Sequence, residues 1–508
     1  MADSKREIER KYEATAETRL PDLSRVAGVS AVVHRGVSEL DAVYYDTEDL
    51  RLAAGSLTLR RRTGGSDAGW HLKFPVAAGI RDELREPLSD TLPRSFAGLL
   101  RSRLRGSEPV PVVRLRTARD VHHLVDAEGA PLAEVALDTV RAERLTGGDG
   151  TAAWTEIEVE LADDGDPALL DAVERRLRRA GVRPSALPSK LARALAETAP
   201  ERNRRKEAGG SAPRRTAGDH VLAYIRRQAE AIVALDPAVR RDLPDSVHQM
   251  RVATRRLRSA LRTYRRILDR SVTDPVGDEL KWLAAELGID RDQEVLDARL
   301  RACLAAVPRT LVLGPVHSRL RIWSVAHRGG SRQRTVAVLD GKRYLALLER
   351  LDALLAAPPL LPAASRAPQR ALARAVLKEY ARLATRVGRA LELPPGHDRD
   401  IALHDARKAA KRVRYAAEAA RPALGKPAKR FTKRMKAVQT LLGDHQDSVV
   451  ARDVLRTLAA QAHAAGESAF AWGLLYGREE AAAAAGEREL PEVWERASRP
   501  QVRAALGG

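Results

Sequence analysis

The chain has 508 residues, which is too long for one ordinary hydrophobic core and predicts two or three domains. Hydrophobic residues make up 44% and charged residues 31%, a balance that allows real cores and excludes a chain disordered as a whole. The single cysteine, Cys303, excludes a disulfide scaffold and a cysteine-based zinc site. The first residues lack the apolar stretch of a signal peptide, and no later segment is apolar enough to span a bilayer. The sequence therefore predicts a soluble, cytoplasmic protein with no membrane partner.

The formal net charge of +20 belongs wholly to the C-terminal part of the chain. Residues 1–200 contain 30 Lys+Arg and 33 Asp+Glu, a net charge of −3. Residues 201–508 contain 58 basic and 35 acidic residues, a net charge of +23. Such asymmetry indicates a polyanion-binding half joined to a half of a different kind.

The N-terminal part shows the period-two alternation that is typical of β-strands. Alternating runs, bounded by turn residues, lie at 6–11, 56–60, 132–138 and 155–161. Two helices are predicted near 167–181 and 188–198. The segment 200–218 is rich in Arg, Gly, Ser and Pro and has no period, so we expect a domain over 1–199 followed by a linker.

From about Asp219 onward the sequence predicts long amphipathic helices, so a domain over 219–508 should be all-α. Breaks between these helices are predicted near 235–237, at 271–276 and across 356–359. The pattern H-x-x-R-x-x-x-[RK]-R-x-R begins at His248 and again at His404, and L-G-x-x-[RQ]-D follows each copy at nearly the same distance. A duplicated helical unit, with halves at about 219–357 and 366–508, is the natural interpretation.

The spacing places the basic side chains of each copy in one stripe, because successive residues of a helix are about 100° apart. The stripes comprise His248, Arg251, Arg255, Arg258 and Arg262 in the first copy, and His404, Arg407, Lys411 and Arg414 in the second. Met250, Leu257, Leu261, Tyr264 and Leu268 lie opposite the first stripe, where a core is expected. A row of cations repels itself unless a polyanion lies along it. A solvated helix face is the alternative, and recurrence in register disfavours it.

We interpret the L-G-x-x-x-D element as structural before assigning it any function. Gly288 and Gly443 are residues of the kind that ends a helix at the C′ position. A second role for Asp292 and Asp447 would be to orient the basic side chains.

The repeated pattern resembles the CHAD family, the conserved-histidine α-helical domains that bind polyphosphate. The resemblance spans roughly 219–508 and implies two pseudo-symmetric four-helix bundles whose basic helices line a shared channel. It implies that polyphosphate is the partner, which would allow association with polyphosphate granules. The implied phosphate contacts are His248, Arg251, Arg255, Arg256, Arg258, His404, Arg407, Lys408, Lys411, Arg412 and Arg414.

Charges of both signs alternate with apolar residues along the predicted strands of the first half. Carboxylates concentrate on the first and last strands, at 7–9 and 156–160, and basic residues on the middle strands. An antiparallel sheet with one wet side is the ordinary explanation of any single pair. The full set favours a closed barrel with a polar lumen, where cations sit between rows of oxygen ligands suited to hard divalent ions.

This combination resembles the CYTH superfamily, the triphosphate tunnel metalloenzymes. The motif Glu7-Ile8-Glu9-Arg10-Lys11 is their E-x-E-x-K, and further charged motifs follow in the family's order over about 4–198. The resemblance implies an α+β multidomain protein, in which an antiparallel β-barrel tunnel precedes the helical domain. It implies one or two Mg²⁺ or Mn²⁺ ions held by Glu7, Glu9, Asp138, Glu156 and Glu158. It also implies phosphate binding by Lys11, Arg60, Arg62, Lys73, Arg81, Arg119 and Lys190.

The predicted chemistry is metal-dependent hydrolysis of inorganic triphosphate or polyphosphate, with Glu7, Glu9, Lys11 and Glu158 as catalytic residues. One alternative is a non-catalytic polyphosphate-binding protein, and another is a tunnel enzyme acting on ATP or thiamine triphosphate. A nucleic-acid partner is disfavoured, because an aromatic content of 4% leaves few stacking platforms.

Overall fold

The computed structural model describes residues 3–199, 216–328 and 331–507. These residues form two compact units, which divide between residues 213 and 214. Most of the predicted linker at 200–218 therefore lies outside the described residues. Its described end is helical from Ala217, because Thr216 and Asp219 form a capping box in which each side chain accepts the other's backbone N–H.

The N-terminal unit is an eight-stranded antiparallel β-barrel with one short additional strand, as the sequence predicted. Its strands are β1 (Asp3–Ala14), β2 (Ala31–Asp46), β3 (Thr58–Thr63), β4 (Gly69–Ala77), β5 (Ile80–Glu86), β6 (Val110–Val125), β7 (Pro131–Arg144), β8 (Thr151–Leu161) and β9 (Arg183–Pro184). The order is β5-β4-β3-β2-β6-β7-β8-β1, and pairing of β1 with β5 closes the barrel. Strand β9 pairs with the end of β1.

The register of the barrel brings charged side chains of opposite sign into adjacent rows. Arg119 on β6 is opposite Asp138 on β7, which is opposite Glu156 on β8. Lys11 on β1 is opposite Glu158 on β8. Because successive side chains of a strand point to opposite faces, one row of each strand faces the lumen and the other packs outside.

Short helices cover the outside of the barrel. They are α1 (Arg51–Ala54), α2 (Arg94–Leu99), α3 (Arg101–Leu104), α4 (Ala168–Arg179) and α5 (Lys190–Glu197). Helices α4 and α5 confirm the two helices predicted near 167–181 and 188–198. Helix α5 buries Leu191 and Ala194 in an apolar cluster with Trp154, and Ser189 caps it by accepting the backbone N–H of Ala192. This packing fixes the first residue of the helix, Lys190, beside the lumen.

The C-terminal unit is all-α, as predicted. Its helices are α6 (Ala217–Arg240), α7 (Ser246–Thr263), α8 (Arg270–Glu286), α9 (Gly288–Ala305), α10 (Val316–Arg328), α11 (Ser331–Asp340), α12 (Lys342–Ala356), α13 (Pro368–Glu392), α14 (His397–Ala464), α15 (Phe470–Ser498) and α16 (Pro500–Gly507). Helix α14 is kinked at Gly425, whose backbone is not helical. Each of these helices is too short or too polar to cross a membrane.

Two of the three predicted breaks are wrong, and the third is confirmed by the end of α12 at Ala356. Helix α6 continues through Pro237 to Arg240, because Arg240 donates to the buried Asp236 at 2.7 Å and to Asp340 at 2.6 Å. Helix α8 includes the whole of the interval 271–276, since it begins at Arg270, where Asp269 caps it by accepting the backbone N–H of Ser271. The break lies earlier, between Thr263 and Arg270.

Two apolar cores hold the helical unit together, and each contains residues of both predicted repeat halves. The larger core joins Met250 and Leu257 of α7 to Ala406 and Val413 of α14. The smaller core joins residues of α9 and α10 to residues of α14 and α15. The residues predicted to lie behind the two basic stripes are therefore buried, and the two basic helices are held in one framework.

Candidate functional site

The lumen of the barrel contains a cavity of about 90 Å³, which we call the tunnel cavity. The predicted residues that line it are Glu7, Glu9, Lys11, Arg60, Arg62, Lys73, Arg81, Arg119, Glu158 and Lys190. The two other predicted residues, Asp138 and Glu156, are buried beside it and pair with Lys190. All twelve predicted residues of the tunnel therefore lie together.

Lys190 reaches a group of three carboxylates at one side of the tunnel cavity. Its ammonium nitrogen lies 2.9 Å from Asp138, 2.8 Å from Glu156 and 2.5 Å from Glu158. Burial disfavours the charged form of Lys190, but the three carboxylates outweigh burial and raise its pKa. This lysine is fully charged at neutral pH.

Glu158 pairs with three cationic side chains of the tunnel. It accepts hydrogen bonds from Lys11 and, at 2.5 Å, from Arg119, in addition to its contact with Lys190. Burial opposes ionisation of Glu158, but these cations outweigh burial and hold its pKa well below the usual range. Glu158 is therefore a carboxylate whose ionisation depends on the cations around it.

A second group of ion pairs lies on β1, β4 and β5. Lys73 donates to Glu7 at 2.6 Å and lies 3.3 Å from Glu83. Burial raises the pKa of Glu7. Glu83 is fully buried and also accepts from His71 Nδ1 at 2.9 Å, while burial lowers the pKa of His71 to about 4. The sequence analysis did not assign Glu83, although its position two residues after Arg81 on the same strand was the available signal.

Three guanidinium groups of the lumen, those of Arg60, Arg62 and Arg119, lie close enough to affect one another. Burial, together with the charges of Arg60 and Arg119, lowers the pKa of Arg62 to about 9. Asp67, which the sequence analysis did not single out, pairs with Arg62. Because burial and the neighbouring cations disfavour the charged form of Arg62, an anion bound beside it would be stabilised.

The arginines of β6 lie on both faces of the strand. Arg119 points into the lumen, whereas Arg114 lies outside and donates to Asp41 at 2.9 Å. Other lining residues that the sequence analysis did not assign are Tyr44, Thr58, Thr117, Glu160 and Ser189. Tyr44 accepts a hydrogen bond from Arg60 at 3.4 Å.

The carboxylate group fits a divalent ion. Asp138, Glu156 and Glu158 each offer an oxygen within 4.8 Å of the others, and hard divalent cations prefer oxygen ligands. The ammonium of Lys190 already lies among these oxygens, which shows that the group accommodates a cation. Glu7 and Glu9 line the same cavity but pair with Lys73 and Lys11.

The helical unit contains a larger cavity of about 690 Å³ between the two basic helices, which we call the helical cavity. The predicted residues that line it are His248, Arg251 and Arg255 from α7, and His404, Arg407, Lys411 and Arg414 from α14. Three of the five residues of the first stripe and all four of the second therefore face one space, whereas Arg258 and Arg262 do not line it. Arg299, Tyr415, Gln439 and Gln446 also line it and were not predicted.

The other predicted polyphosphate contacts do not line the helical cavity. Arg256 donates to Glu418 at 3.1 Å, Lys408 donates to Asp405 at 3.1 Å, and Arg412 lies 3.6 Å from Glu379. Arg258 lies outside the cavity as well, and burial lowers its pKa. Helix periodicity predicts the direction in which a side chain points around the helix axis. It does not predict how far the cavity extends along the helix, because that depends on the neighbouring helices.

In each L-G-x-x-x-D element the aspartate pairs with an arginine of a basic helix. Arg251 donates to both oxygens of Asp292 at 2.6 and 2.8 Å, and Arg407 lies 3.5 Å from Asp447. Gly443 lies within α14, so the expectation that it ends a helix is wrong. Gly288 directly follows Leu287, the C-cap of α8, as expected of a C′ residue, and it is also the first residue of α9. A Cβ at Gly288 would lie 2.8 Å from Arg251 Nη2. The glycine therefore makes room for the guanidinium that the aspartate binds.

Lys411 lies near cationic side chains of both stripes. Burial, then the charges of Arg407, Arg255 and Arg251, lower the pKa of Lys411 to about 7. An anion in the helical cavity would reverse the electrostatic part of that shift.

Comparison with known proteins agrees with the two units. Residues 5–193 match the model of the CYTH domain, and residues 223–456 match the model of the CHAD domain. An uncharacterized protein of Mycobacterium tuberculosis, known from strains CDC 1551 / Oshkosh and ATCC 25618 / H37Rv, is 38% identical over 501 residues. That alignment covers 93% of this chain and 92% of the relative.

Two solved structures are also similar. PptA from Streptomyces chartreusis is 22% identical with a TM-score of 0.48, and the match covers 55% of this chain and 99% of PptA. The CHAD domain from the plant Ricinus communis is 27% identical with a TM-score of 0.41, and the match covers 59% of this chain and 95% of that domain. On the two family matches and the full-length relative, the chain belongs to the proteins that carry a CYTH domain followed by a CHAD domain.

Proposed function

We propose that the barrel hydrolyses inorganic triphosphate or polyphosphate in a metal-dependent reaction, and that the helical cavity binds the polymer. The observation that carries the proposal is the convergence of seven cationic side chains on the tunnel cavity beside a group of three carboxylates. The CYTH family includes triphosphatases and cyclases, which makes phosphoanhydride chemistry the natural class of reaction.

The cations of the tunnel would exchange carboxylate partners for phosphate oxygens. Lys11, Lys190 and Arg119 now pair with Glu158, and each offers donors suited to phosphate. Arg60 and Arg62 lie close enough that Arg60 depresses the pKa of Arg62, so a bound anion relieves their repulsion. Positioned cations stabilise the charge that spreads over a transferred phosphoryl group.

A Mg²⁺ or Mn²⁺ ion would be held by Asp138, Glu156 and Glu158, with Glu7 and Glu9 as the further predicted ligands, and would supply charge neutralisation and a more acidic water. Glu158 is the proposed general base. Lys11, Lys190 and Arg119, which hold the pKa of Glu158 down, would turn to phosphate, and a Glu158 oxygen that does not bind the ion would then be free to accept a proton from water.

The small tunnel cavity supports an inorganic substrate. The cavity volume is about 90 Å³, and charged side chains form most of its wall. A linear phosphate chain is narrow and charged along its whole length, whereas a nucleobase needs a wider, less polar space.

One observation favours an organic triphosphate as the second candidate. A cavity of about 660 Å³ shares Glu9, Lys11 and Arg81 with the tunnel cavity and is lined elsewhere by apolar residues such as Ile80 and Leu170. Such a cavity would accommodate an organic group attached to a triphosphate in the tunnel.

Phosphate release from tripolyphosphate, long polyphosphate, ATP and thiamine triphosphate, each with Mg²⁺ and with Mn²⁺, tests the proposal. We expect hydrolysis of the inorganic substrates at the higher kcat/KM. Faster hydrolysis of ATP or thiamine triphosphate would favour the second candidate. Polyphosphate binding without hydrolysis under any of these conditions would indicate a non-catalytic binding protein.

A further inference from the structure

Two imidazoles and a carboxylate meet on the outer face of β2 and β6, away from the tunnel cavity. His34 Nε2 lies 2.7 Å from Asp120 Oδ1, and His122 Nδ1 lies 3.9 Å from the same oxygen. The ligand atoms of the three residues all lie within 4.8 Å of one another. Asp120 and His122 are on the opposite face of β6 from Arg119, which lines the lumen.

A β-bulge brings His34 to this position. His34 is opposite His122, but the register between β2 and β6 shifts by one residue between His34 and Gly36. Gly36 has a φ of 97°, a conformation that favours glycine, and bulges of this kind redirect neighbouring side chains. As a result the rings of His34 and His122 lie 4.9 Å apart, with His34 bonded to Asp120 and His122 Nδ1 3.9 Å from the same carboxylate.

The surroundings leave the group able to accept a cation. His122 Nδ1 is buried and makes no hydrogen bond, so a nitrogen lone pair or proton there lacks a partner. Arg35 is the unpaired residue of the bulge, and its guanidinium donates to His123 Nδ1 at 3.2 Å rather than to this group. His34 is the most exposed of the three side chains, at 57%, and leaves the site open to solvent.

We propose that His34, Asp120 and His122 form a second metal site, which binds Zn²⁺ or a similar first-row transition ion. Two imidazoles and one carboxylate are the ligands such ions prefer, whereas the oxygen ligands of the tunnel suit Mg²⁺ or Mn²⁺. The bound ion would join β2 to β6, the strand that carries Arg119 into the lumen. Because it would bind the folded barrel and not the unfolded chain, it would raise the midpoint of thermal unfolding.

The test uses the full chain carrying Glu156→Gln and Glu158→Gln, which removes two carboxylates of the tunnel group. Titration calorimetry of the metal-stripped protein with Zn²⁺ should show one site per chain, and Co²⁺ at that site should give the visible absorption of nitrogen coordination. Adding His34→Gln and His122→Gln should abolish both signals and the Zn²⁺-dependent rise in the unfolding midpoint.

The matched control changes His317 and His463 to Gln, two exposed histidines of the helical unit, and should leave Zn²⁺ binding unchanged. If the histidine substitutions lower the unfolding midpoint without metal, Asp120→Asn takes their place and should weaken Zn²⁺ binding by at least about tenfold. Unchanged Zn²⁺ stoichiometry and affinity in these variants, or no Zn²⁺ binding by the starting protein, would overturn the proposal.

Discussion

Glu158 is the residue on which the proposed chemistry depends most, because Lys11, Lys190 and Arg119 all contact it. Replacing Glu158 with Gln removes the proposed base and a predicted metal ligand. We expect phosphate release with Mg²⁺ or Mn²⁺ to fall by at least about 100-fold. Steady-state assays with tripolyphosphate would measure this loss, and circular dichroism would check that the barrel is intact.

The control for Glu158 is Asp41→Asn, which removes a carboxylate from the outside of the same barrel, where Asp41 pairs with Arg114. Asp41→Asn should leave hydrolysis unchanged. Hydrolysis by the unaltered protein that persists in excess chelator would contradict the metal-dependent mechanism.

Lys411 gives the helical cavity a pH dependence near neutrality. The pKa of Lys411 is lowered from 10.5 to about 7 in the folded protein. Between these pH values Lys411 is protonated in the unfolded chain and largely neutral in the folded protein. Its contribution to the free energy of unfolding therefore rises with pH over that interval. Bound polyphosphate should raise the pKa again. Binding through Lys411 should therefore be strongest below pH 7 and weaken as pH rises above 7.

Titration calorimetry at pH 7.5 in buffers of different ionisation enthalpy measures the protons taken up on binding. We expect net uptake in the unaltered protein and a smaller uptake in Lys411→Met. Lys408→Met removes a lysine of the same helix that lies outside the cavity, and it should leave the uptake unchanged. Equal uptake in the two variants would exclude Lys411 as the titrating group.

At the scale of the elements, the two glycines of the L-G-x-x-x-D elements provide a matched pair. Alanine at Gly288 would place its Cβ 2.8 Å from Arg251 Nη2, whereas alanine at Gly443 would place its Cβ 3.6 Å from Arg407 Nε. Both changes favour the helix by up to about 1 kcal/mol. Only Gly288→Ala should displace its arginine and weaken polyphosphate binding, by about tenfold for one lost charged contact.

Denaturant unfolding and polyphosphate titration of the two alanine variants separate these effects. The expected pattern is unchanged or greater stability in both variants, with weaker binding in Gly288→Ala alone. If both variants bind as the unaltered protein does, Arg251 does not contact the polymer.

A second prediction at this scale concerns the basic helices α7 and α14, since each carries cationic side chains that line the helical cavity and others that do not. Changing Arg251, Arg255, Arg407 and Lys411 to Gln should remove most polyphosphate affinity. Changing Arg256, Arg258, Lys408 and Arg412 to Gln removes the same number of charges from the same helices and should have a small effect. Equal losses at matched ionic strength, measured with polyphosphate and with duplex DNA, would mean that only total charge matters.

The elements also show what could be predicted from the sequence and what could not. Parity along the first strand placed Glu9 and Lys11 on one face, because side chains on alternate strand positions share a face, and the family resemblance placed them in one lumen with Arg119. The continuation of α6 past Pro237 was not predictable, since it depends on Arg240 meeting Asp340, a hundred residues away in the chain. The tight space at Gly288 likewise depends on a guanidinium from another helix.

At the scale of the whole molecule, each unit has cores of its own. The barrel packs its outer strand faces against α4 and α5, and the helical unit has two cores that combine residues of both repeat halves. We propose that the domains are 1–199 and 219–508, joined by the segment 200–218. On this proposal the two proposed activities should be separable.

A fragment of residues 1–199 should therefore hydrolyse tripolyphosphate with the kcat/KM of the full chain, because every residue proposed for the tunnel lies within it. A fragment starting at residue 216, which keeps the cap of α6, should fold as a helical domain and bind polyphosphate without hydrolysing it. On long polyphosphate the full chain should have the lower KM, since a polymer held in the helical cavity is at a raised local concentration for the barrel. The comparison of KM for tripolyphosphate and for long polyphosphate, across the full chain and the fragments, measures that gain. A barrel fragment that is folded but inactive on tripolyphosphate, while the full chain is active, would mean that both units contribute to one catalytic site.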